Sequence, residues 1–229
     1  MAADITTAMS DELGLRLEDA DENNYIQATK IKFLSAAQRQ VASYLHDAYL
    51  TELEYVDTSC VLTASTYTSY PLTSLNSGNG VLRGGKGIKR VKVHVSGDST
   101  GLWANEIDAD DLKDRENQFL ASSDTAPMYY IFNNKINLLV DTYAVNTTID
   151  VYYQKLPPEL STSVDPVLNV GFQDLIITLA EATLWRADDK PERREAAYQL
   201  VMQEIEILNR RYRRPEGIGT QGRVKEVRA

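Results

Sequence analysis

The sequence predicts an α+β fold in which a helical bundle carries a central antiparallel β insert. Apolar residues recur at three- and four-residue spacing near both ends of the chain, whereas Thr, Tyr and Val alternate with polar residues in its middle. A long N-terminal helix and a C-terminal antiparallel helix pair would form the bundle, and a flexible basic arm would follow. The predicted parts are the N-terminal helices at 1–54, the β insert at 55–160, the helix pair at 161–214 and the arm at 215–229.

Two helices are predicted in the N-terminal part. Ser10, followed by acidic residues, suits a helix N-terminus and begins a short helical turn that holds Leu13 and Leu17. Asn23 or Asn24 caps a longer helix that continues to about residue 53. Its buried stripe is predicted to contain Ile31, Leu34, Ala37, Val41, Leu45 and Ala48.

The β insert begins where the composition changes after Tyr55. Residues 61–70 are predicted as one strand and residues 88–95 as a half-buried antiparallel strand, because apolar and polar residues alternate there. Trp103 is expected to pack under that second strand, and a short acidic helix is expected at 108–118. The polar face of the second strand consists of Arg90, Lys92 and His94.

A β-hairpin is predicted from two apolar, aromatic-rich segments, 128–132 and 135–140. Asn133 and Asn134 join them, and Asn tolerates the positive φ of a tight turn. Residues 148–153 supply a third strand, which ends before the proline pair at 157–158 because proline lacks an N–H donor. The tyrosines expected to form the wall of this scaffold are Tyr129, Tyr130, Tyr152 and Tyr153.

The last two helices are predicted at 170–187 and from Pro191 to Arg214, with Asp189 as the cap of the second. Their short connection predicts an antiparallel pair, which packs on the long N-terminal helix. The first buried stripe comprises Phe172, Leu175, Ile176, Leu179, Ala180, Thr183 and Leu184. The second comprises Ala197, Leu200, Val201, Glu204, Ile205 and Leu208.

Composition and charge limit the function classes. Of 229 residues, 43% are apolar and only Cys60 is a cysteine, so we expect neither a disulfide framework nor a Cys-rich zinc cluster. We also expect neither a signal peptide nor a membrane span. The net charge of −9 divides into −14 for residues 1–209 and +5 for the rest, where seven basic residues oppose two acidic ones. An acidic body repels DNA, whereas the basic end attracts an acidic partner.

Two glycine-containing motifs resemble catalytic or nucleotide-binding signatures. Residues 80–87 nearly match a phosphate-binding P-loop, but Gly87 replaces the Ser or Thr that holds magnesium, and a strand follows instead of a helix. Residues 97–101 match a nucleophile elbow around Ser99. His46 and His94 both precede that serine, which excludes the Ser, acid, His order of that hydrolase fold.

Carboxylates give a weaker signal. A calcium loop would need a turn glycine and a bidentate glutamate, which the acidic cluster lacks; its members are Asp108, Asp110, Asp111 and Asp114. Glu181 and Glu204 lie beside apolar helix stripes and are the candidates for a general acid, as in a cell-wall hydrolase. We predict that the protein is not an enzyme and uses no cofactor or metal.

The basic end of the chain is the predicted docking site, for a neighbouring copy or a larger partner. Tyr212 lies among arginines, as aromatic residues do in single-strand binders, so a small nucleic-acid-binding module is an alternative function. Cations also suit the C-terminus of a helix. The predicted docking residues are Arg210, Arg211, Tyr212, Arg213, Arg214, Arg223, Lys225 and Arg228.

The chain resembles the head-to-tail adaptor (connector) proteins of short-tailed bacteriophages. The resemblance lies in AAQRQVA at 36–42, PMYYI at 127–131 and IDVYYQKLP at 149–157, which occur in this order around the Thr-rich insert and before an acidic-capped helix pair. It covers nearly the whole chain up to Pro215.

That resemblance implies a structural virion protein without catalytic residues. Its copies would form a homo-oligomeric ring, commonly twelvefold, between the portal protein and the tail tube or nozzle protein. The genome would pass through the channel without specific binding, and no membrane would be involved. The ring would be assembled in the host cytoplasm and occupy the neck of the virion. Another tail or neck component, such as a tail-closure protein, is the alternative within the structural class.

Overall fold

The structure is a computed structural model that describes residues 4–62, 69–94, 100–108, 126–139 and 148–212. Within these ranges it has four α-helices: α1 Ile5–Arg16, α2 Gln27–Tyr44, α3 Gln173–Ala187 and α4 Pro191–Arg210. It also has seven strands: β1 Glu54–Val61, β2 Ser69–Pro71, β3 Ile88–His94, β4 Leu102–Glu106, β5 Met128–Phe132, β6 Lys135–Leu139 and β7 Thr148–Gln154.

The strands form one sheet in the order β1-β7-β3-β4-β5-β6-β2. Neighbouring strands are antiparallel except β4 and β5, which are parallel, with Asn105 beside Met128. The two end strands approach one another, because the side chains of Cys60 in β1 and Tyr70 in β2 interact. The sheet is therefore mixed and nearly closed.

The expectation of a helical bundle with a central antiparallel insert is wrong. The sheet has its own hydrophobic core, made of inward-facing side chains such as Val91, Val93, Ile149 and Val151. A second core lies among the helices. A sheet that nearly closes buries one of its faces on itself and does not depend on helices to cover it. The β component is thus a large part of the fold, and its parallel β4–β5 pair makes it mixed.

The helical core is built mainly by α3, which contacts α1, α2 and α4. Leu34 and Val41 of α2 are fully buried in this core, together with Ile176 and Leu184 of α3. Trp185 also lies in it, with only 2% of its surface exposed. Several residues of the predicted stripes thus lie in the helical core.

The N-terminal helices differ from the prediction at their ends. α1 is capped by Asp4, and Ser10 lies buried inside it. α2 begins at Gln27 without a side-chain cap, since the loop before it is held differently: Asp19 accepts the N–H groups of Asn24 and Tyr25. α2 also ends at Tyr44 and not near residue 53, and two 3-10 turns follow, Asp47–Tyr49 and Thr51–Leu53.

The hairpin prediction is confirmed. β5 and β6 pair in register from Met128 with Leu139 to Phe132 with Lys135, and Asn133 and Asn134 have φ of 50° and 56°. The strand predicted at 61–70 is wrong in its bounds, because β1 begins at Glu54 and β2 is only three residues long. The acidic helix predicted at 108–118 lies, after Asp108, outside the described residues.

α4 has the predicted spacing of apolar residues, but its buried side and its N-cap residue differ from the prediction. Asp189 has φ of 54° and precedes the true cap, Lys190, while Pro191 occupies the first turn. Val201 and Ile205 are buried, but Leu200 is 57% exposed and Glu204 is also on the surface. α4 therefore contacts the helical core along a narrower stripe than expected.

Candidate docking surfaces

The glycine-rich segment 80–87 joins the two cores. Its Arg83 has a left-handed backbone with φ of 59° and extends its guanidinium to the end of α2. There it donates to the carbonyl oxygens of Ala42 at 3.2 Å and Ser43 at 3.0 Å, and to that of Leu45. The guanidinium therefore satisfies free carbonyls at the negative end of the helix dipole.

Asp47 completes this joint. Its carboxylate accepts from Arg83 at 2.5 Å and also from Lys89 at the start of β3. Burial raises the pKa of Asp47, but these two cations lower it by more, so that the pKa lies below its ordinary value of 3.8. Leu82, next to Arg83, is buried in the helical core, and its N–H donates to the Gln154 carbonyl at 2.9 Å. The P-loop-like segment thus holds helices and sheet together.

The residues of the elbow motif are not assembled into a triad. Ser99 lies outside the described residues. His94 contacts Asp150, with Nε2 2.8 Å from Oδ2. His46 accepts from the N–H of Ala48 through its Nδ1 at 3.2 Å and stacks on Tyr212. The two histidines therefore have separate structural contacts.

The candidate carboxylates are likewise dispersed. Glu181 on α3 accepts from the indole N–H of Trp185 at 3.0 Å, whereas Glu204 is exposed on α4. Of the acidic cluster after β4, only Asp108 belongs to the described residues. In those parts of the chain, no group of three His, Cys, Asp or Glu side chains could hold a metal ion. No helix there is both long and apolar enough to span a membrane.

The structure fixes the start of the basic arm to the body. The Tyr212 ring stacks on His46 with centroids 4.9 Å apart and an interplanar angle of 11°, and it meets Tyr49 edge-on at 5.0 Å. Just before it, the Asn209 side chain donates to the Tyr44 carbonyl at 2.8 Å and accepts from the His46 N–H at 2.7 Å. The chain therefore leaves the body beside the end of α2.

Of the other predicted docking residues, the structure describes only Arg210 and Arg211. Arg210 forms an exposed salt bridge with Glu206 at 2.9 Å, and Arg211 is exposed at the end of α4. The rest lie outside the described residues: Arg213, Arg214, Arg223, Lys225 and Arg228.

A second candidate surface, the aromatic–basic face, consists of Arg90, Lys92, Trp103 and Tyr152 on the outer side of the sheet. Register places Arg90 beside Tyr152 and Lys92 beside Trp103. The Arg90 Cζ lies 5.7 Å and the Lys92 Nζ 5.8 Å from the Trp103 ring, and the Tyr152 ring lies 5.2 Å from it. Each exposed cation–π contact contributes about 0.5 to 1 kcal/mol.

This face is open to solvent. Trp103 remains 48% exposed, and a groove of about 590 Å³ runs past it towards Tyr55 at the edge of the sheet. Among the described residues, no carboxylate forms a salt bridge with Arg90 or Lys92, while the nearby Asp150 pairs with His94. An exposed Trp surrounded by Tyr and Arg has the composition of a binding hot spot.

Sequence reasoning identified the cations of this face but not its centre. The alternation along β3 correctly put Arg90 and Lys92 on the polar side. Trp103 was expected beneath the strand, whereas its pairing with Lys92 puts it on that same outer side. The outward position of Trp103 was indicated by the short strand β4, in which Trp103 alternates with the half-buried Ala104.

A comparison with protein families identifies one that matches nearly the whole chain. The sequence model of the SU10 adaptor protein family matches residues 2–224. That family consists of structural adaptor proteins of bacteriophages. No curated protein matches the chain. The matched span includes both cores, the joint at Arg83 and the aromatic–basic face.

Proposed function

Since the chain belongs to the SU10 adaptor protein family, we propose that it is a head-to-tail adaptor that forms a ring between the portal and the tail. The genome passes through the centre of this ring during ejection. By its resemblance to adaptors of short-tailed phages, the ring contains twelve copies, is assembled in the host cytoplasm and lies in the neck of the virion. The match over residues 2–224 is the observation that carries the proposal.

An adaptor acts by binding and needs no chemistry of its own. The described residues that resembled catalytic signatures have structural contacts instead: Arg83 caps α2, His94 pairs with Asp150, and Glu181 accepts from Trp185. The acidic body suits a channel, because like charges repel and DNA would pass without adhering to it. These observations support a structural role.

The basic arm docks on the portal or on a neighbouring copy. Stacking of Tyr212 on His46 fixes the origin of the arm, so that the arginines beyond it reach a defined part of the partner. Residues 1–209 carry −14 and the remainder +5, which gives a neighbouring body or an acidic portal surface an electrostatic attraction for the arm.

Deletion of residues 215–229 tests the arm, with co-sedimentation of the full-length portal ring as the measurement. We expect at least tenfold weaker binding, and an intermediate loss in Arg223→Gln/Lys225→Gln/Arg228→Gln. Lys32→Gln/Lys135→Gln is the control, because both lysines are exposed elsewhere on the body. Unchanged binding after the deletion would remove the arm from the proposal, and absence of portal binding by the intact chain would contradict the adaptor role.

A further inference from the structure

The aromatic–basic face has a defined chemical complement. Its centre is an indole ring that is 48% exposed, and its rim is Arg90 and Lys92. These two cations form no salt bridge within the described residues, although Asp150 lies opposite Lys92 and Glu54 lines the same groove. Residues 83–97 contain five basic residues and no acidic one, but Arg83 and Lys89 pair with Asp47 and so add no free charge to the face. Such a face binds best to a surface with an apolar centre and an acidic rim.

Exposed groups of that kind lie on α1 and in its connection to α2. Residues 4–28 contain seven acidic residues and one basic residue. Two apolar side chains protrude among them, with Leu15 63% and Ile26 60% exposed. Asp11 and Asp21 are exposed nearby in the sequence. We call this set, Asp11, Leu15, Asp21 and Ile26, the acidic corner.

Lys30 holds the loop between α1 and α2, which carries Asp21, in a fixed shape. Its side chain is buried, and its ammonium donates to the Asp19 carbonyl at 3.2 Å and lies 3.8 Å from the Glu22 carboxylate. The Asp19 carboxylate in turn accepts the N–H groups of Asn24 and Tyr25 at 2.9 and 2.8 Å. A surface that is already ordered loses little conformational entropy when it binds.

We propose that the aromatic–basic face of one copy binds the acidic corner of a neighbouring copy. This inference rests on the proposed ring and names the two faces that would make its subunit contact. Two unlike, complementary faces on one chain produce a heterologous contact, and such contacts generate rings when the rotation closes. Leu15 covers Trp103, while Asp11 and Asp21 neutralise Arg90 and Lys92.

A protein partner is favoured over DNA. Aromatic residues among cations also bind single strands, but residues 1–209, which include the face, have a net charge of −14. The acidic corner, by contrast, supplies an apolar side chain for Trp103 and carboxylates for Arg90 and Lys92. A second copy is therefore the occupant that the charges fit.

Charge exchange in the full-length chain tests the pairing. Arg90→Glu/Lys92→Glu and Asp11→Lys/Asp21→Lys should each weaken self-association, with or without the portal ring, by at least tenfold. A chain that carries all four changes should recover to within about threefold of the natural chain, since the attraction is restored with opposite signs. Lys32→Glu/Lys135→Glu is the matched control and should associate normally. Sedimentation velocity over a dilution series gives the constants.

Iodide quenching provides a second readout that does not depend on variants. Trp185 is only 2% exposed, so that quenchable fluorescence comes mainly from Trp103. Quenching should fall when dilute chains assemble. The Trp103→Ala chain should stay folded, with a cooperative thermal transition, and associate at least tenfold more weakly.

The outcomes separate this inference from the proposed function. Rings that form normally in all charge variants would overturn the inference and leave the adaptor role intact. A chain that remains monomeric even with the portal ring would overturn both. Steeply salt-dependent DNA binding that Arg90→Glu/Lys92→Glu abolishes, or Trp103 already protected from iodide in the monomer, would show that the face has another occupant.

Discussion

Arg83 stands where the helical core meets the sheet. Its planar guanidinium presents several donors in a fixed geometry, which suits three carbonyl oxygens and one carboxylate at once. A lysine at this position would reach one or two of them. The side chain therefore has a structural task that no neighbouring residue duplicates among the described parts of the chain.

Replacement of Arg83 by Ala should lower the free energy of unfolding by about 2 to 3 kcal/mol, because the end of α2 loses its cap and Asp47 loses a partner. Arg83→Lys should recover only part of this loss. Urea denaturation measures the difference, and Lys86→Ala, in the same segment, is the control. Equal effects of Arg83→Ala and Lys86→Ala would contradict the assignment.

Asp19 makes the free energy of unfolding depend on pH in the acid range. Burial raises its pKa, but the N–H groups of Asn24 and Tyr25 lower it by more, so that the folded pKa lies below the ordinary 3.8. A lowered folded pKa contributes stability above the unfolded pKa, and this contribution is lost as the pH falls through the folded value. The unfolding free energy should therefore decline below about pH 4, as the unfolded-state pKa requires.

Asp19→Asn should flatten that decline, since the amide cannot titrate. Urea denaturation at several pH values between about 5 and 3 gives the slopes. Asp11→Asn, which changes an exposed carboxylate on α1, is the comparison. The same slope in Asp19→Asn and the natural chain would refute the role of Asp19.

For single residues, sequence reasoning was correct where the relevant contacts are local in the sequence. Gly87 and the strand after it argued against a P-loop, and the structure agrees that β3 follows. The partners of Arg83 lie 36 to 41 residues earlier in the chain. No local pattern indicates such a contact, and the joint could not be predicted.

Among the elements, α4 shows that the spacing of apolar residues can be predicted correctly while the buried side of the helix is not. The predicted spacing was correct, but apolar residues lie on more than one side of the helix, and contact with α3 decides which side is buried. Leu200 and Val201 are neighbours with opposite environments, 57% and 0% exposed. Only the packing of α3 distinguishes them.

Val201→Ala should lower the unfolding free energy by about 2 kcal/mol, because it leaves a cavity in the helical core. Leu200→Ala on the same helix should change it by less than about 0.5 kcal/mol. Chemical denaturation of both variants gives the comparison. A larger loss in Leu200→Ala would mean that the exposed side of α4 is covered in solution.

The other elements also divide into those set by neighbouring residues and those set by distant contacts. The β5–β6 hairpin depends on Asn133 and Asn134, which are adjacent and adopt the positive φ that the turn needs. The end of α2 at Tyr44 depends on the distant Arg83 and on burial of Leu50 and Leu53. Burial of Leu45 was predicted, but it fits a helix that continues as well as one that has ended. Local turns were therefore predicted well and tertiary helix ends poorly.

For the whole molecule, the α+β composition was predictable and the architecture was not. The parallel pairing of β4 with β5 joins strands more than twenty residues apart, and the contact between β1 and β2 nearly closes the sheet. Neither has a local signature, so the sheet was mistaken for an insert in a bundle. The resemblance to phage adaptors did not depend on that error, because it rested on segments of sequence.

Charge is the whole-molecule property that links fold and assembly. The acidic corner lies on the helical part of the chain and the aromatic–basic face on the sheet, and each part has its own core. An interface between copies would therefore connect the helical part of one copy to the sheet of the next. Since these contacts are electrostatic in part, self-association should weaken at least fivefold between about 0.1 and 0.5 M salt, where the Debye length falls below 10 Å. Sedimentation velocity measures this, and association that salt leaves unchanged would count against charge pairing.

The central claim is that the chain forms a closed ring on the portal. Native mass spectrometry of the full-length chain mixed with the portal ring, with negative-stain images of the same sample, tests it most directly. We predict a complex with a single, integral number of copies, twelve by resemblance, arranged as a ring around an open centre. A single bound copy, or a free monomer beside an unoccupied portal, would contradict the adaptor role.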